Sequence, residues 1–304
     1  MTSAVQGVGR SFLDRYWQKR PVVLRSFFTS SQLRPFSVKR FFRWCSAPAE
    51  ARLFVRTEER APGSAHAFPL ASIGEGPAIF DHCRARGELV TLLLNRAESV
   101  EPALERLRAR FKIPYVWREH DIVATLAVKD AGIGFHAGHE DGFVVQLRGR
   151  RRWRVWNSSV LDDRYRRRLL GDRSVDDVPP MRPSTRASLT CILEPGDALF
   201  IPALYGHEGT TLEESISLSI AWAGLTPFRV VNAVARALDP AVRQIMQEDP
   251  AEFFRLLPDP PPGTPDPAGF LLDALAPSIE RLRPHGPPYD AFGRFLRLLT
   301  RPKA

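Results

Sequence analysis

Two stretches, GIGFHAGHEDGFVVQLRGRRRWRVW (132–156) and EPGDALFIPALYGHEGTTLEESISLSIAWAG (194–224), decide how this chain folds. Each places a histidine beside glycines at a strand edge, His136 in the first and His207 in the second. Around them, short apolar runs follow one another between turn signals from 121 to 224: DIVATLAV, GFVVQL, RRRWRVW, ASLTCIL, DALFIP and SISLSIAWA. Many short strands at this spacing predict a sandwich or a barrel. No internal repeat stands out.

Outward from this core the texture becomes helical. FLDRYWQKRPVVLR (12–25) reads as a short amphipathic helix, a proline break and an extended segment, and SVKRFFRWCSA (37–47) as another helix. Residues 51–82 mix short apolar runs with Gly and Pro and predict strands and loops. AESVEPALERLRARF (97–111) has apolar residues at helical spacing and basic residues at its end, which a helix C-terminus favours. Beyond Pro227, Asp-Pro pairs at 239–240, 249–250 and 266–267 each precede an apolar-periodic run, with Asp suited to the N-cap and Pro to the first turn. PDPPPGTPDP (258–267) reads as a stiff linker. The expected organisation is a β-rich domain over 1–226 with helical decoration at its N-terminus, then a helical domain over 227–304. The apolar faces of VVNAVARAL and FLLDALAPSI in that second domain suit packing or dimerisation.

Composition narrows the class. The chain has 304 residues, 44% hydrophobic and 25% charged, as ordinary globular domains do. The first twenty residues contain no apolar core of a secretory signal, and LVTLLL (90–95) is far too short to cross a bilayer. Cys45, Cys83 and Cys191 stand alone, which suggests a reducing compartment, hence the cytoplasm, and argues against a thiolate metal site. A net charge of +9 bears on association rather than on chemistry.

A double-stranded β-helix would bring the two histidine segments together at one mouth. Non-haem iron sites use two histidines and a carboxylate on one face, leaving positions open for substrate and oxygen. In RRRWRV (150–155), strand alternation puts Arg151, Trp153 and Val155 on one face and Arg150, Arg152 and Arg154 on the other. An arginine sharing an inward apolar face needs an anion, which a dicarboxylate could supply through a bidentate contact. The competing reading pairs Arg151 with Asp141 or Glu140. In SISLSIAW, Ser215, Ser217 and Ser219 share one face, and Ile216, Leu218, Ile220 and Trp222 the other.

These segments, taken with YWQKRPVVLR, AVKDAGIGFH and SLSIAWAGLTP, resemble the bacterial ribosomal oxygenases, a JmjC branch of the cupin-type, 2-oxoglutarate- and Fe(II)-dependent oxygenases. The resemblance covers about two thirds of the chain and keeps the family's motif order. It implies a mainly β fold with α elements, a jelly-roll double-stranded β-helix with N-terminal helices and a C-terminal helical domain that supports a homodimer. It implies hydroxylation of a side chain in a protein or peptide, a ribosomal protein or a biosynthetic peptide, with nucleic acid met only through a ribosome and no membrane. It places Arg151, Thr125 and Ser219 around 2-oxoglutarate.

The metal motif departs from the family's His-x-Asp. Counting back from Phe143 and Gln146 puts His136 at the first ligand position, so the carboxylate position falls on Gly138; the distal histidine is His207. Three readings follow. Iron is held by His136 and His207 alone, as in iron-dependent halogenases. Or a neighbour replaces the lost ligand: His139, giving a three-histidine dioxygenase, or Asp141 through a shift to His139-Glu140-Asp141. Or the metal site has decayed and the fold serves as a binding module. Alternation turns 139 away from the face of 136 and 138, unless Gly138 lets the chain turn. The remaining histidines, His66, His82, His120 and His285, have no partner spacing, and the basic run YRRRLLGDR (165–173) reads as a solvated face or a contact for a ribosomal or acidic partner.

Overall fold

A computed structural model describes residues 8–45, 51–56, 66–69, 75–172, 183–235, 246 and 248–282. The chain forms two compact units. The first gathers the described residues of Met1–Lys112, His120–Val160 and Pro179–Trp222; the second gathers those of Ile113–Glu119, Leu161–Val178 and Ala223–Ala304.

In the first unit, helices α1 (Arg10–Arg15), α2 (Ser30–Leu33), α3 (Val38–Trp44), α4 (Gly76–Ala85) and α5 (Ala103–Ala109) surround eleven strands. These are β1 (Val22–Leu24), β2 (Ala51–Arg56), β3 (His66–Pro69), β4 (Leu89–Leu94), β5 (His120–Ala127), β6 (Glu140–Arg148), β7 (Arg151–Trp156), β8 (Leu189–Leu193), β9 (Ala198–Ile201), β10 (Gly206–Thr211) and β11 (Ser215–Ala223). One sheet runs β1-β9-β6-β11-β5-β4-β2-β3 and a second runs β10-β7-β8. This is the expected double-stranded β-helix. Its inner core is built from both sheets: Val144 of β6 and Leu199 and Ile201 of β9 meet Trp153 and Val155 of β7 and Leu193 of β8.

The other face of the large sheet is equally dry. Phe143 and Phe200 pack there against Phe12, tilted and edge-on, and Trp17, Phe111 and Trp222 complete an aromatic layer. β6 therefore buries both of its faces, which is why it reads as the near-continuous apolar run GFVVQL rather than as an alternation. Two positions differ from the sequence expectation. The helix expected over 97–111 is split into a short 3-10 turn (Ala97–Ser99) and α5, with Pro102 at the break, since proline supplies no N–H to a continuing helix. Residues 51–82 contain α4 as well as strands, started by Pro77 in its first turn.

The second unit holds α6 (Asp163–Leu169), α7 (Pro227–Ala235), α8 (Pro250–Phe253) and α9 (Pro267–Leu282). The basic run thus forms a helix, capped by the Asp162 carboxylate accepting from the Tyr165 N–H. Asp-Pro opens α8 and α9 as expected; the pair at 239–240 lies outside the described residues. Val230 and Val231 of α7 are buried, as are Leu271, Leu272, Leu275, Ile279 and Leu282 of α9. Both apolar faces are thus used within the chain. Arg118 is buried in this unit against Asp259 at 2.8 Å and donates to the Ala223 carbonyl. No helix among the described residues is long and apolar enough to cross a membrane.

Candidate metal and cosubstrate site

His136 and His207 face each other. Each backbone N–H donates to the other's carbonyl, at 3.0 and 2.8 Å, in an isolated antiparallel bridge. The two rings lie 4.2 Å apart between centroids. The Nδ1 of His136 is 3.1 Å from the Gly134 carbonyl and that of His207 is 3.0 Å from the Tyr205 carbonyl. A carbonyl only accepts, so each Nδ1 carries the proton and each Nε2 keeps a lone pair, the state in which imidazole binds a metal. Gly134 makes this possible with φ +81, which turns the chain so that its carbonyl lies under the ring two residues on. Both residues are half-buried, with protein packed closely about the rings. That burial, with the neighbouring His136, pushes His207 down to about 3, and burial also lowers His136. Neither carries charge at neutral pH.

The register of β7 and β10 continues the site inward. His207 lies opposite Val155, Gly209 opposite Trp153 and Thr211 opposite Arg151, so all share the inward face of the small sheet. Arg151 is four residues from Val155, about 13 Å along the strand. The expected alternation holds: Arg151, Trp153 and Val155 are buried, while Arg150, Arg152 and Arg154 are exposed.

The Arg151 guanidinium is buried and makes no ion pair among the described residues; its Nη2 donates to the Ser215 hydroxyl at 3.3 Å, and its Nε has no acceptor. It lies 5.9 Å from the Trp153 ring centroid. Burial lowers it to about 10, which leaves it cationic at neutral pH. Neither Asp141 nor Glu140 pairs with it.

The face of the large sheet that meets Arg151 is lined with hydroxyls. Ser215 pairs with Ala127, Ser217 with Thr125 and Ser219 with Val123, while β4 sets Thr91 opposite Ala127 and Leu93 opposite Thr125. Directly opposed residues in antiparallel strands share a face, so Thr91, Thr125, Ser215, Ser217 and Ser219 stand together. Thr91 is fully buried with no partner for its hydroxyl. Sequence reasoning missed Thr91, because LVTLLL carries no motif.

The structure does not gather the other expected ligands. Asp141 is fully buried and one of its oxygens accepts the Ala203 N–H at 3.1 Å. Alternation on β6 puts it on the side of Phe143, away from the inner core that holds Val144. The His139 Nδ1 lies 3.2 Å from the Glu140 carboxylate. Among the described residues no third His, Cys, Asp or Glu completes a metal cluster with the histidine pair. Gly138 does not use the left-handed region that would let it redirect the chain. A cavity of about 430 Å³ in the second unit, lined by Trp117, Arg118, Arg229 and Asn232, includes none of these residues.

Known proteins resemble this chain in sequence and in fold. Residues 106–227 match the family of JmjC domains. The ribosomal protein uL16 3-hydroxylase of Escherichia coli (strain K12) is 28% identical over 275 residues, covering 90% of this chain and 64% of that protein. A probable ribosomal oxygenase of Haemophilus influenzae is 26% identical over 212 residues, covering 68% of this chain and 48% of the relative. The chain thus spans about two thirds or less of the length of these relatives. The X-ray structure of E. coli YcfD superposes with a TM-score of 0.58 at 25% identity, covering 94% of this chain and 70% of that one. YcfD, a ribosomal oxygenase, is also known in complex with cobalt and 2-oxoglutarate, at 24% identity and a TM-score of 0.57. Residues 106–227 thus resemble a JmjC domain, and the chain shares the fold of the solved E. coli YcfD.

Proposed function

We propose that this chain is a 2-oxoglutarate-dependent, non-haem Fe(II) oxygenase that hydroxylates a side chain of a protein or peptide, a ribosomal protein being the substrate class its relatives suggest. The observation that carries the reading is the buried, ion-pair-free Arg151 on the inward face it shares with His207. A guanidinium taken out of water without a counter-ion is costly. An anionic ligand with one end at Arg151 and the other at the histidines would remove that cost. The dicarboxylate 2-oxoglutarate has that form.

The donor set fits the group in part. Two neutral imidazoles with fixed tautomers suit a borderline divalent metal. When bound, iron and 2-oxoglutarate would supply the activation of dioxygen, the oxidant, of which one oxygen atom would go to succinate as 2-oxoglutarate loses CO2 and the other to the hydroxylated C–H carbon. The protein does the rest. Carbonyls 134 and 205 hold the two Nδ1 protons, so the Nε2 lone pairs are presented without a proton having to leave. Ser215 steadies the Arg151 guanidinium, and Thr125, Ser219 and Thr91 add hydroxyls that can donate to a carboxylate. Val144, Val155 and Trp153 keep the inner end dry, which strengthens each polar contact made there.

The halogenase-like reading uses the same pair without a third ligand, and an inactive module would keep the barrel alone; anaerobic Fe(II) titration separates them. One equivalent of Fe(II), with a visible charge-transfer band on adding 2-oxoglutarate that is lost in His207→Ala, supports the oxygenase. Absence of metal binding sinks it in favour of a binding module. Chloride-dependent change in that band would favour the halogenase. Homodimerisation, which the family resemblance also implies, would need surface other than the described apolar faces of α7 and α9, which are already buried.

A further inference from the structure

The side chain that a Cβ at Gly138 would meet is Glu140. An ideal Cβ built there falls 2.2 Å from the Glu140 Oε2 and 3.4 Å from its Cδ. The Glu140 carboxylate therefore occupies the space into which a side chain at 138 would project. The separation is about that between an aspartate's own Cβ and its carboxylate oxygens. Gly138 gives up the side chain and Glu140, longer by one methylene, reaches back from two residues along.

Strand geometry puts Glu140 on the correct side. It opens β6, where Val144 belongs to the inner core against Trp153 and Val155. Side chains alternate along a strand, so Glu140, Gly142 and Val144 face the core that the inward row of His207 also faces. Asp141 and Phe143 face the aromatic layer.

We infer that Glu140 replaces the missing aspartate as the carboxylate ligand of a divalent metal at His136 and His207. In the structure this carboxylate lies beside the His139 Nδ1 at 3.2 Å, and among the described residues it does not complete a three-residue cluster with the pair. The step required is a side-chain rotation of Glu140 that exchanges His139 for the cation. Its side chain is about one third exposed, so the rotation displaces no packed core. A glutamate ligand gives a neutral-imidazole, single-carboxylate set, two nitrogens and one oxygen, with open positions for the cosubstrate.

The inference rests on the metal reading proposed above, and the test separates the two. Co(II) binding to the full chain is followed by isothermal calorimetry and by the visible d–d spectrum, with no turnover required. The wild-type chain should bind one Co(II), and His207→Ala should abolish binding. Glu140→Ala and Glu140→Gln should each weaken it by about 10- to 100-fold and change the spectrum, while the thermal melt of the metal-free protein stays the same. The glutamine variant keeps a hydrogen-bond acceptor for His139, so a merely structural role would leave it binding like wild type. Gly138→Asp combined with Glu140→Ala should restore affinity to within a few-fold of wild type. Binding that needs His207 but is indifferent to Glu140 overturns this inference and leaves the metal site standing. No binding in the wild type, or binding indifferent to His207, overturns both.

Discussion

His136, His207 and Arg151 were legible as residues because each stands in a setting where its type is informative. A histidine beside glycines at a strand edge and an arginine in an inward row are both anomalies that call for a ligand. Glu140 was less legible. Its relation to Gly138 depends on a side chain folding back along its own strand, which a period of two does not describe. The environment of Arg151 gives a direct test. Arg151→Met should weaken 2-oxoglutarate binding about ten- to a hundredfold while leaving Co(II) affinity unchanged, read by calorimetry with each ligand in turn. The histidines give a second. In the folded chain His207 is held down to about 3 by burial and its histidine neighbour, and His136 is lowered too. In the unfolded chain both titrate near about 6.5. Below that pH the unfolded state binds protons that the folded state refuses, so stability present above about 6.5 is lost as pH falls towards 3. The melting temperature of the metal-free protein should fall between pH 7 and pH 5. A His136→Gln/His207→Gln variant should show a shallower slope.

At the scale of elements, the strands whose inward and outward faces differ in chemistry were readable. β7, β8, β9 and β11 fall within the apolar runs of the sequence, and β5 and β6 overlap theirs, starting one and two residues earlier. β10, GHEGTT, was not, because it contains no apolar residue. It is a strand only because β7 offers it six paired positions, a tertiary cause that propensity does not contain. The split of the 97–111 helix at Pro102 shows the converse, a local chain constraint overriding a helical pattern. Asp197, in the turn from β8 to β9, shows how elements are tied. Its buried carboxylate accepts from the Ser26 and Glu194 N–H groups at 2.9 and 3.0 Å and pairs with Arg25. It thereby fastens the end of β1 to the β8–β9 turn. Asp197→Ala should cost about 2–4 kcal/mol by urea unfolding, whereas Arg25→Ala, which removes a half-exposed partner, should cost under about 1 kcal/mol. Equal losses would mean that the ion pair rather than the backbone contacts holds the turn.

For the whole molecule, the division into two units makes stability a local property that ligands can report. The histidine pair, Arg151, the hydroxyl-lined face and Glu140 all belong to the first unit. So do Trp17, Trp44, Trp153, Trp156 and Trp222, while Trp117 belongs to the second. Tryptophan emission during heating therefore follows mainly the unit that holds the site, and Trp153 sits 6.0 Å from the His207 ring. A ligand that binds only the folded state stabilises it by about 2.7 kcal/mol at a free concentration of one hundred times Kd. For a unit of this size that corresponds to about 5–10 °C in melting temperature. Mn(II), a redox-stable substitute for iron, should produce a shift of this order when added with 2-oxoglutarate at such concentrations. Each alone should produce less, because the anion at Arg151 and the metal at the histidines hold opposite ends of one face. His207→Ala should lose the Mn(II)-dependent part of the shift and Arg151→Met the 2-oxoglutarate-dependent part. If instead the two variants lose both parts together, the two ligands bind as one unit and the inward face acts as a single site from Arg151 to His207. If neither variant loses anything, the ligands bind elsewhere, and the barrel's inward face is a core rather than a site.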